Sequence, residues 1–315
     1  MGNAWDELLA QSEPVTNTKG TVATTAVIHS LSSETLHQFT TLCFPEGTSS
    51  LLDTKLVNFA TIGWTNDLEQ HCSLDVYTLI KSGPDALNLL KPFLQERSSK
   101  IHWLILLDWS SNDQQLWLGE LFSTFSSIKQ LNDDNEFSVW CLNSDKIFSL
   151  QRNTTVWQSA HIDFVLQSLR SFCYFNDSSL FYIDEHRNEE EDEKALGLKY
   201  QEILKHAVEG RDMEDYIEMV KRSRISIPKG CDSIGLIKTI DERFEPTEVE
   251  DVQFLTRYTN FVPTTDGMKD GREIYNFYDL NEAQSLTSFQ VNIQEELGKM
   301  FMKHRKNSKI SETRR

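Results

Sequence analysis

The sequence predicts a doubly wound α/β fold, with a mostly parallel six-stranded sheet, helices on both faces and a helical C-terminal extension. Three observations carry this. Continuous apolar runs, without strict alternation, recur through the first two hundred residues, as expected of strands buried on both faces. Between most of them lie segments with apolar residues at helical spacing, the alternation that builds a covered parallel sheet. At one place two strand-like runs, 55–64 and 74–80, are joined by a polar turn alone, which predicts a single antiparallel hairpin in that sheet.

Taken in order, VATTAVIH (22–29) reads as the first strand. Ser32, Ser33 and Glu34 then resemble a helix cap, followed by Leu36, Phe39 and Leu42 on one face. KLVNFATIGW (55–64) and LDVYTLI (74–80) form the hairpin. Gly83-Pro84-Asp85 opens a helix bearing Leu87, Leu90 and Leu94. HWLILLDW (102–109) is the most apolar strand, and 113–128 is amphipathic through Leu116, Trp117, Leu121, Phe125 and Ile128. FSVWCL (137–142) is a strand, 156–175 a long helix, LFYI (180–183) a last short strand and 194–208 a closing helix. Residues 210–224 read as a capped, exposed helix. This combination is the arrangement of small GTP-binding, Ras-like domains, and the pattern alone also admits other α/β strand orders. It divides the chain into an N-terminal arm (1–20), an α/β core (21–210), an extension (211–262), a Pro/Thr/Asp/Gly-containing linker (263–278) and a C-terminal amphipathic helix with a basic tail (279–315).

Composition narrows the partners. A net charge of −17 argues against nucleic acid, whose recognition needs clustered Lys and Arg, and against anionic membrane as a general partner. No apolar run reaches the roughly 18 residues of a membrane span, and no basic end followed by an apolar block marks a signal peptide. Five widely spaced cysteines with no C-x-x-C pair read as reduced thiols of a cytoplasmic protein. The acidic run 184–193 reads as a solvated loop.

A Ras-like pattern demands a test for phosphate binding. A P-loop needs glycines that let backbone N–H groups curl round phosphate, and a Lys for charge. The loop after the first strand, Ser30-Leu31-Ser32-Ser33-Glu34-Thr35-Leu36, has neither, and Glu34 repels phosphate. Residues 45–50 also lack the Lys. The strand at 74–80 ends on Ile80 and Lys81 where a magnesium-ordering Asp is needed, and the base-reading loop reads Leu142-Asn143-Ser144-Asp145 in place of N-K-x-D. Nucleotide hydrolysis needs these parts together. No G-x-S-x-G, H-E-x-x-H or Cys/His metal spacing is present. His102 and His161, at element starts, read as hydrogen-bonding or capping histidines. Asp108, at the end of an apolar strand, is the best-placed lone carboxylate but shows no partner in sequence and reads as a cap for Ser110, Ser111 and Asn112. We therefore expect no catalysis, no cofactor and no metal.

Two blocks, His161–Cys173 and Ile227–Phe244, together resemble the dynein light intermediate chain family. Residues 161–173 (HIDFVLQSLRSFC) are similar to that family's H-x-D-F-I-x-x-x-I-R-x-F-C. Ile227-Pro228-Lys229-Gly230-Cys231-Asp232, then Ile234-Gly235-Leu236-Ile237 and Phe244, resemble I-P-x-G-W-D, I-G-I-L and N-F, with Cys231 departing from the Trp. Glu250–Leu255 resembles E-D-x-Q-x-F-L with one residue missing, and Asn292–Met300 resembles N-V-Q-E-E-L-x-R-M. The resemblance implies a non-catalytic subunit of cytoplasmic dynein of the compact fungal type. The implied core docks on the heavy-chain tail, the C-terminal region binds coiled-coil adaptors alongside other dynein subunits, and the setting is microtubules, spindle poles and cell cortex in nuclear migration and spindle positioning. The family's P-loop Lys is absent here. A diverged small GTPase and a pseudo-GTPase trafficking adaptor are the alternatives.

Apolar flanking segments give candidate heavy-chain anchors: Trp5 (with Leu8 and Leu9 at helical spacing), Ile227, Ile234, Leu236, Ile237 and Phe244. Packing on the chain's own core would use the same residues. In the tail, Leu286, Phe289, Ile293, Leu297, Met300 and Phe301 form one apolar stripe. It suits adaptor binding in a groove, folding back on the core, or a membrane surface.

Overall fold

The computed structural model describes residues 22–44, 57–65, 71–80, 84–94, 100–131, 135–153, 156–184 and 193–264. The strands are β1 (Val22–Ser30), β2 (Val57–Thr65), β3 (His71–Leu79), β4 (Ile101–Asp108), β5 (Asn135–Leu142), β6 (Ser179–Tyr182) and β7 (Ser226–Ile227). They form one sheet in the order β2-β3-β1-β4-β5-β6-β7. β1 pairs in parallel with β3 and β4, and β4–β5 and β5–β6 are parallel, while β2–β3 is the expected antiparallel hairpin. The six expected strands are all present, and the short antiparallel β7 makes a seventh.

The helices are α1 (Ser33–Cys43), α2 (Pro84–Leu94), α3 (Trp117–Lys129), α4 (Lys146–Asn153), α5 (Ser159–Phe175), α6 (Glu193–Glu209), α7 (Ile234–Lys238) and α8 (Val252–Phe261). One sheet face packs on α1 and α6 through Ala26, Ile28, Leu36, Phe39, Trp140 and Leu204. The other packs on α2, α3 and α5 through Val27, Leu90, Trp103, Leu121, Leu166 and Phe172. β4 lies at the centre with all eight residues buried, the physical reason its sequence is apolar without alternation.

Two elements differ from expectation. α4 follows the loop after β5 in a stretch to which the sequence reading assigns no element, with Ile147 and Leu150 facing the core. The exposed helix expected over 210–224 is absent. Gly210, at φ +65°, ends α6. Beyond it lie a 3-10 turn at Glu214–Tyr216 and a bridge between Glu218 and Ser226. Local side chains outcompete the helix here: Asp212 accepts from the Glu214 N–H, and Glu218 from the N–H groups of Val220 and Lys221.

The extension is part of the core, and α5 holds it. Arg170 donates to both carboxylate oxygens of Asp232, at 2.8 and 2.7 Å, with both side chains almost fully buried. Gln167 donates to the carbonyls of Ile237 and Asp241. Phe164 lies between Phe244, Phe254, Tyr258 and Phe261, with ring centroids 4.8–5.9 Å away. The approach to Asp232 is set by a turn in which Cys231 N–H donates to the Pro228 carbonyl with Gly230 at φ +79°, a conformation that favours glycine.

Removing one partner of a buried ion pair leaves an uncompensated charge. Asp232→Ala is therefore expected to lower unfolding free energy by about 3–5 kcal/mol. The double variant Arg170→Met with Asp232→Leu should recover most of the loss, both read from denaturant midpoints.

Candidate functional site

In doubly wound sheets, ligands sit beyond the carboxyl ends of the strands. That edge is formed here by the ends of β1, β4, β5 and β6, and the loops leaving them bind one another. After β1, Ser30 donates its hydroxyl to the Ser32 carbonyl. Ser32 then caps α1, its hydroxyl accepting from the N–H groups of Glu34 and Thr35 at 3.2 and 3.4 Å. This is the expected cap. It occupies the free amides with which a helix N-terminus would hold a phosphate.

Asp108 is the centre of the network. Its Oδ1 accepts from the N–H and hydroxyl of Ser110 at 2.8 and 2.7 Å, the capping role expected from sequence. It also accepts from Asn143 Nδ2 at 2.9 Å, while Oδ2 accepts from the Thr35 hydroxyl at 2.8 Å. The carboxylate that shows no partner in sequence thus ties the first turn of α1 to the loops after β4 and β5. Its partners lie 73 and 35 positions away, a separation at which no spacing rule operates. Asn143 holds φ at +55° and also donates to Gln38 Oε1. Asn tolerates this region better than most residues.

The other half of the edge is closed by the extension. The Ser144 N–H donates to the Ile183 carbonyl and the Ser144 hydroxyl to the Ser223 carbonyl at 2.6 Å. Asp184, at the end of β6, accepts from the Ser223 hydroxyl and from Arg224 Nε. The Asp184 N–H donates to the Tyr200 hydroxyl, which burial pushes up to about 12. The turn at 223–224 therefore covers the loop that would read a nucleotide base.

The remaining candidates fall as follows. His102 Nδ1 lies 3.1 Å from Glu136, whose carboxyl is lowered to about 2, first by that contact and then by Lys100. His161 completes a capping box at the start of α5, its Nδ1 accepting from the Gln158 N–H. Burial pushes the Cys43, Cys141 and Cys173 thiols up, away from nucleophilic thiolate. Among the described residues no cluster of three or more His, Cys, Asp or Glu could hold a metal, and no helix is long and apolar enough to cross a membrane. Of the anchor candidates, Ile227, Ile237 and Phe244 are buried in the chain's own core and Ile234 is half-buried. Among the described candidates Leu236 alone is exposed, at 43%. Phe244 turns inward against Phe164 of α5, Ile237 packs below the same helix, and Ile227 is buried beside β6 in the same core. Sequence reasoning passed over other exposed apolar side chains of the extension, Val220 and Val252 among them. Trp5, Leu286, Phe289, Ile293, Leu297, Met300 and Phe301 lie outside the described residues.

Comparison with known proteins agrees with the resemblance. The model of the dynein light intermediate chain family matches residues 130–302. A cytoplasmic dynein intermediate light chain DYN3 of Saccharomyces cerevisiae is 66% identical over 308 residues, 98% of this chain and 99% of that one. The DYN3 of Candida glabrata is 33% identical over 76% of this chain and 79% of its own. The crystal structure of the dynein light intermediate chain's conserved domain superposes with a TM-score of 0.61 at 16% identity, covering 78% of this chain and 99% of that one. It supports the fold.

Asp108→Ala would leave the buried donors of Thr35 and Asn143 unmatched. It is expected to cost about 3 kcal/mol of stability, measured by denaturant unfolding. Asp108→Asn, which keeps the shape and an acceptor oxygen, should cost less.

Proposed function

The chain belongs to the dynein light intermediate chain family, and from that membership we propose that it is a non-catalytic subunit of cytoplasmic dynein whose Ras-like core docks on the heavy-chain tail. The observation that carries the non-catalytic part is the self-bonded C-terminal edge. The amides that would meet a phosphate are capped by Ser32, the strand-end carboxylate is committed to Thr35, Ser110 and Asn143, and the base-reading loop is covered by Ser223. In this reading the protein acts in the cytoplasm on microtubules, spindle poles and cell cortex, in nuclear migration and spindle positioning. The region after 265 recruits coiled-coil adaptors through the stripe Leu286, Phe289, Ile293, Leu297, Met300 and Phe301.

The heavy-chain surface belongs on the outward side of the extension. Ile227, Ile237 and Phe244 serve the internal packing, so the anchors are those that face solvent: Leu236 (43% exposed), Val252 (42%) and Val220 (87%). Interface energy concentrates in a few such apolar anchors.

Affinity purification from cells with identification of stoichiometric partners tests the reading. Dynein heavy chain is expected, and its absence would sink the proposal. Leu236→Asp with Val252→Asp should weaken that recovery by at least about tenfold while the isolated protein's melting temperature holds. Unchanged recovery would move the interface elsewhere. GTP, GDP or ATP at millimolar concentration with Mg²⁺ should leave the melting temperature unmoved. A ligand at a hundredfold excess over Kd would add about 2.7 kcal/mol, and a shift of several degrees would contradict the pseudo-GTPase reading.

A further inference from the structure

The sheet has two edges, β2 and β7, and they are built differently. β7 is two residues long, and the bridge between Glu218 and Ser226 covers its outer side. Short strands and covering segments are devices that keep an edge from pairing with another chain. β2 has neither. It runs for nine residues, VNFATIGWT, without a charge or a proline, and among the described residues no strand pairs with its outer side. A long uncharged edge strand is a template for a further strand.

This edge is complementary to its own copy. The middle residue is Thr61, and Phe59 and Gly63 stand two positions either side of it, all three on one face of the sheet. Phe59 is 46% exposed and rests on Tyr77, with ring centroids 4.8 Å apart. Nothing inside the chain requires Gly63: its backbone is part of β2, outside the positive-φ region, and a Cβ there would meet nothing closer than the Cys72 carbonyl at 3.9 Å. Glycine weakens a strand interior and marks places where another backbone or ligand approaches closely. In an antiparallel pair centred on Thr61, residue 59 of one copy stands opposite residue 63 of the other. Each Phe59 ring then covers the other copy's Gly63, a cross-strand device that pins register. Asp75, opposite Thr61 on β3, is held back from the seam. Across the dyad the two Asp75 carboxylates stand three strand spacings apart, about 14 Å, beyond the Debye length of about 8 Å at physiological salt.

We propose that β2 is a self-docking edge. A second copy of this chain pairs with it in antiparallel register about Thr61, Phe59 of each copy covering Gly63 of the other, and the two seven-stranded sheets become one. The interface is at the small end of the range, so the association is of micromolar order. It lies at the opposite edge of the sheet from β7 and does not rest on the heavy-chain reading above.

Sedimentation equilibrium of the full chain between about 5 and 200 µM tests this, and a monomer–dimer equilibrium is expected. Phe59→Asp with Gly63→Asp sets like charges opposite each other and should weaken it at least about tenfold while the melting temperature holds. Phe59→Lys with Gly63→Asp should restore it, since the charges then attract. Phe59→Cys with Gly63→Cys reads the register. Opposite Cα atoms lie about 5 Å apart, within disulfide reach, whereas residues 59 and 63 of one copy are about 13 Å apart and cannot join. Mild oxidation should give a covalent dimer from the double variant and not from Phe59→Cys alone. A chain that stays monomeric throughout, a dimer indifferent to the Asp pair, or no cross-link from the double variant would each overturn the proposal. Amide exchange at 59–63 that is already slow in the monomer would assign the edge to another segment of this chain, and exchange slowed only by added heavy chain would assign it to that partner. Either result overturns the proposal equally.

Discussion

The buried contact between Arg170 and Asp232 is the constraint on which the rest of the structure depends. α5 has one side against the sheet, through Val165, Leu166, Leu169 and Phe172. Arg170 and Gln167 use its remaining buried surface to fix residues 232–241. Removing two charges from water costs several kcal/mol each, so such a pair adds little net stability. What it adds is geometry. A bidentate guanidinium–carboxylate pair fits one orientation of the partner segment, which sets how α7, the Phe244 region and α8 meet Phe164. A purely apolar contact would admit several neighbouring registers.

That placement reaches the far end of the sheet. The segment running back from Asp232 through Gly230 and Pro228 enters β7 at Ser226–Ile227, and β7 pairs with β6. Residues 223 and 224, just before it, are thereby brought onto Ser144 and Asp184. The extension held by α5 is thus the same segment that closes the strand-end crevice. Asp108 closes the other half from within the core. In a working nucleotide site these groups would be satisfied by phosphate, magnesium and base. Here buried polar groups have found partners inside the chain, as buried polar groups must.

Much of this was legible in sequence, and what was not had a physical cause. The strands and long helices were readable because each has a strong local pattern: β4 is apolar throughout, and α5 repeats at 3.6 residues. Ser32 was readable as a cap because capping is local. Asp108 was readable as a cap for Ser110 for the same reason, but its bonds to Thr35 and Asn143 were not, because those residues are distant in sequence. The helix expected at 210–224 failed where Asp212 and Glu218 bond to nearby backbone, and α4 was missed because a helix of eight residues offers barely two turns of periodicity. The two family-like blocks were visible as motifs, but not their relation. Asp163 meets Arg222, Phe164 meets Phe244, and Arg170 meets Asp232. They are two sides of one contact, which explains why candidate anchors Ile237 and Phe244 turned inward, while Ile227 is buried by the pairing of β7 with β6.

A switch requires an element with two arrangements and a ligand that contacts them differently. In nucleotide-driven switches the movable elements are loops ordered by the terminal phosphate. The corresponding loops here are tied to each other. The first turn of α1 is bonded to the end of β4 through Thr35 and Asp108, and the end of β4 to the loop after β5 through Asp108 and Asn143. A phosphate arriving at this edge would have to displace a carboxylate and break the Ser32 cap, losing bonds where a switch ligand gains them. Its differential affinity favours the arrangement already present, so it shifts nothing.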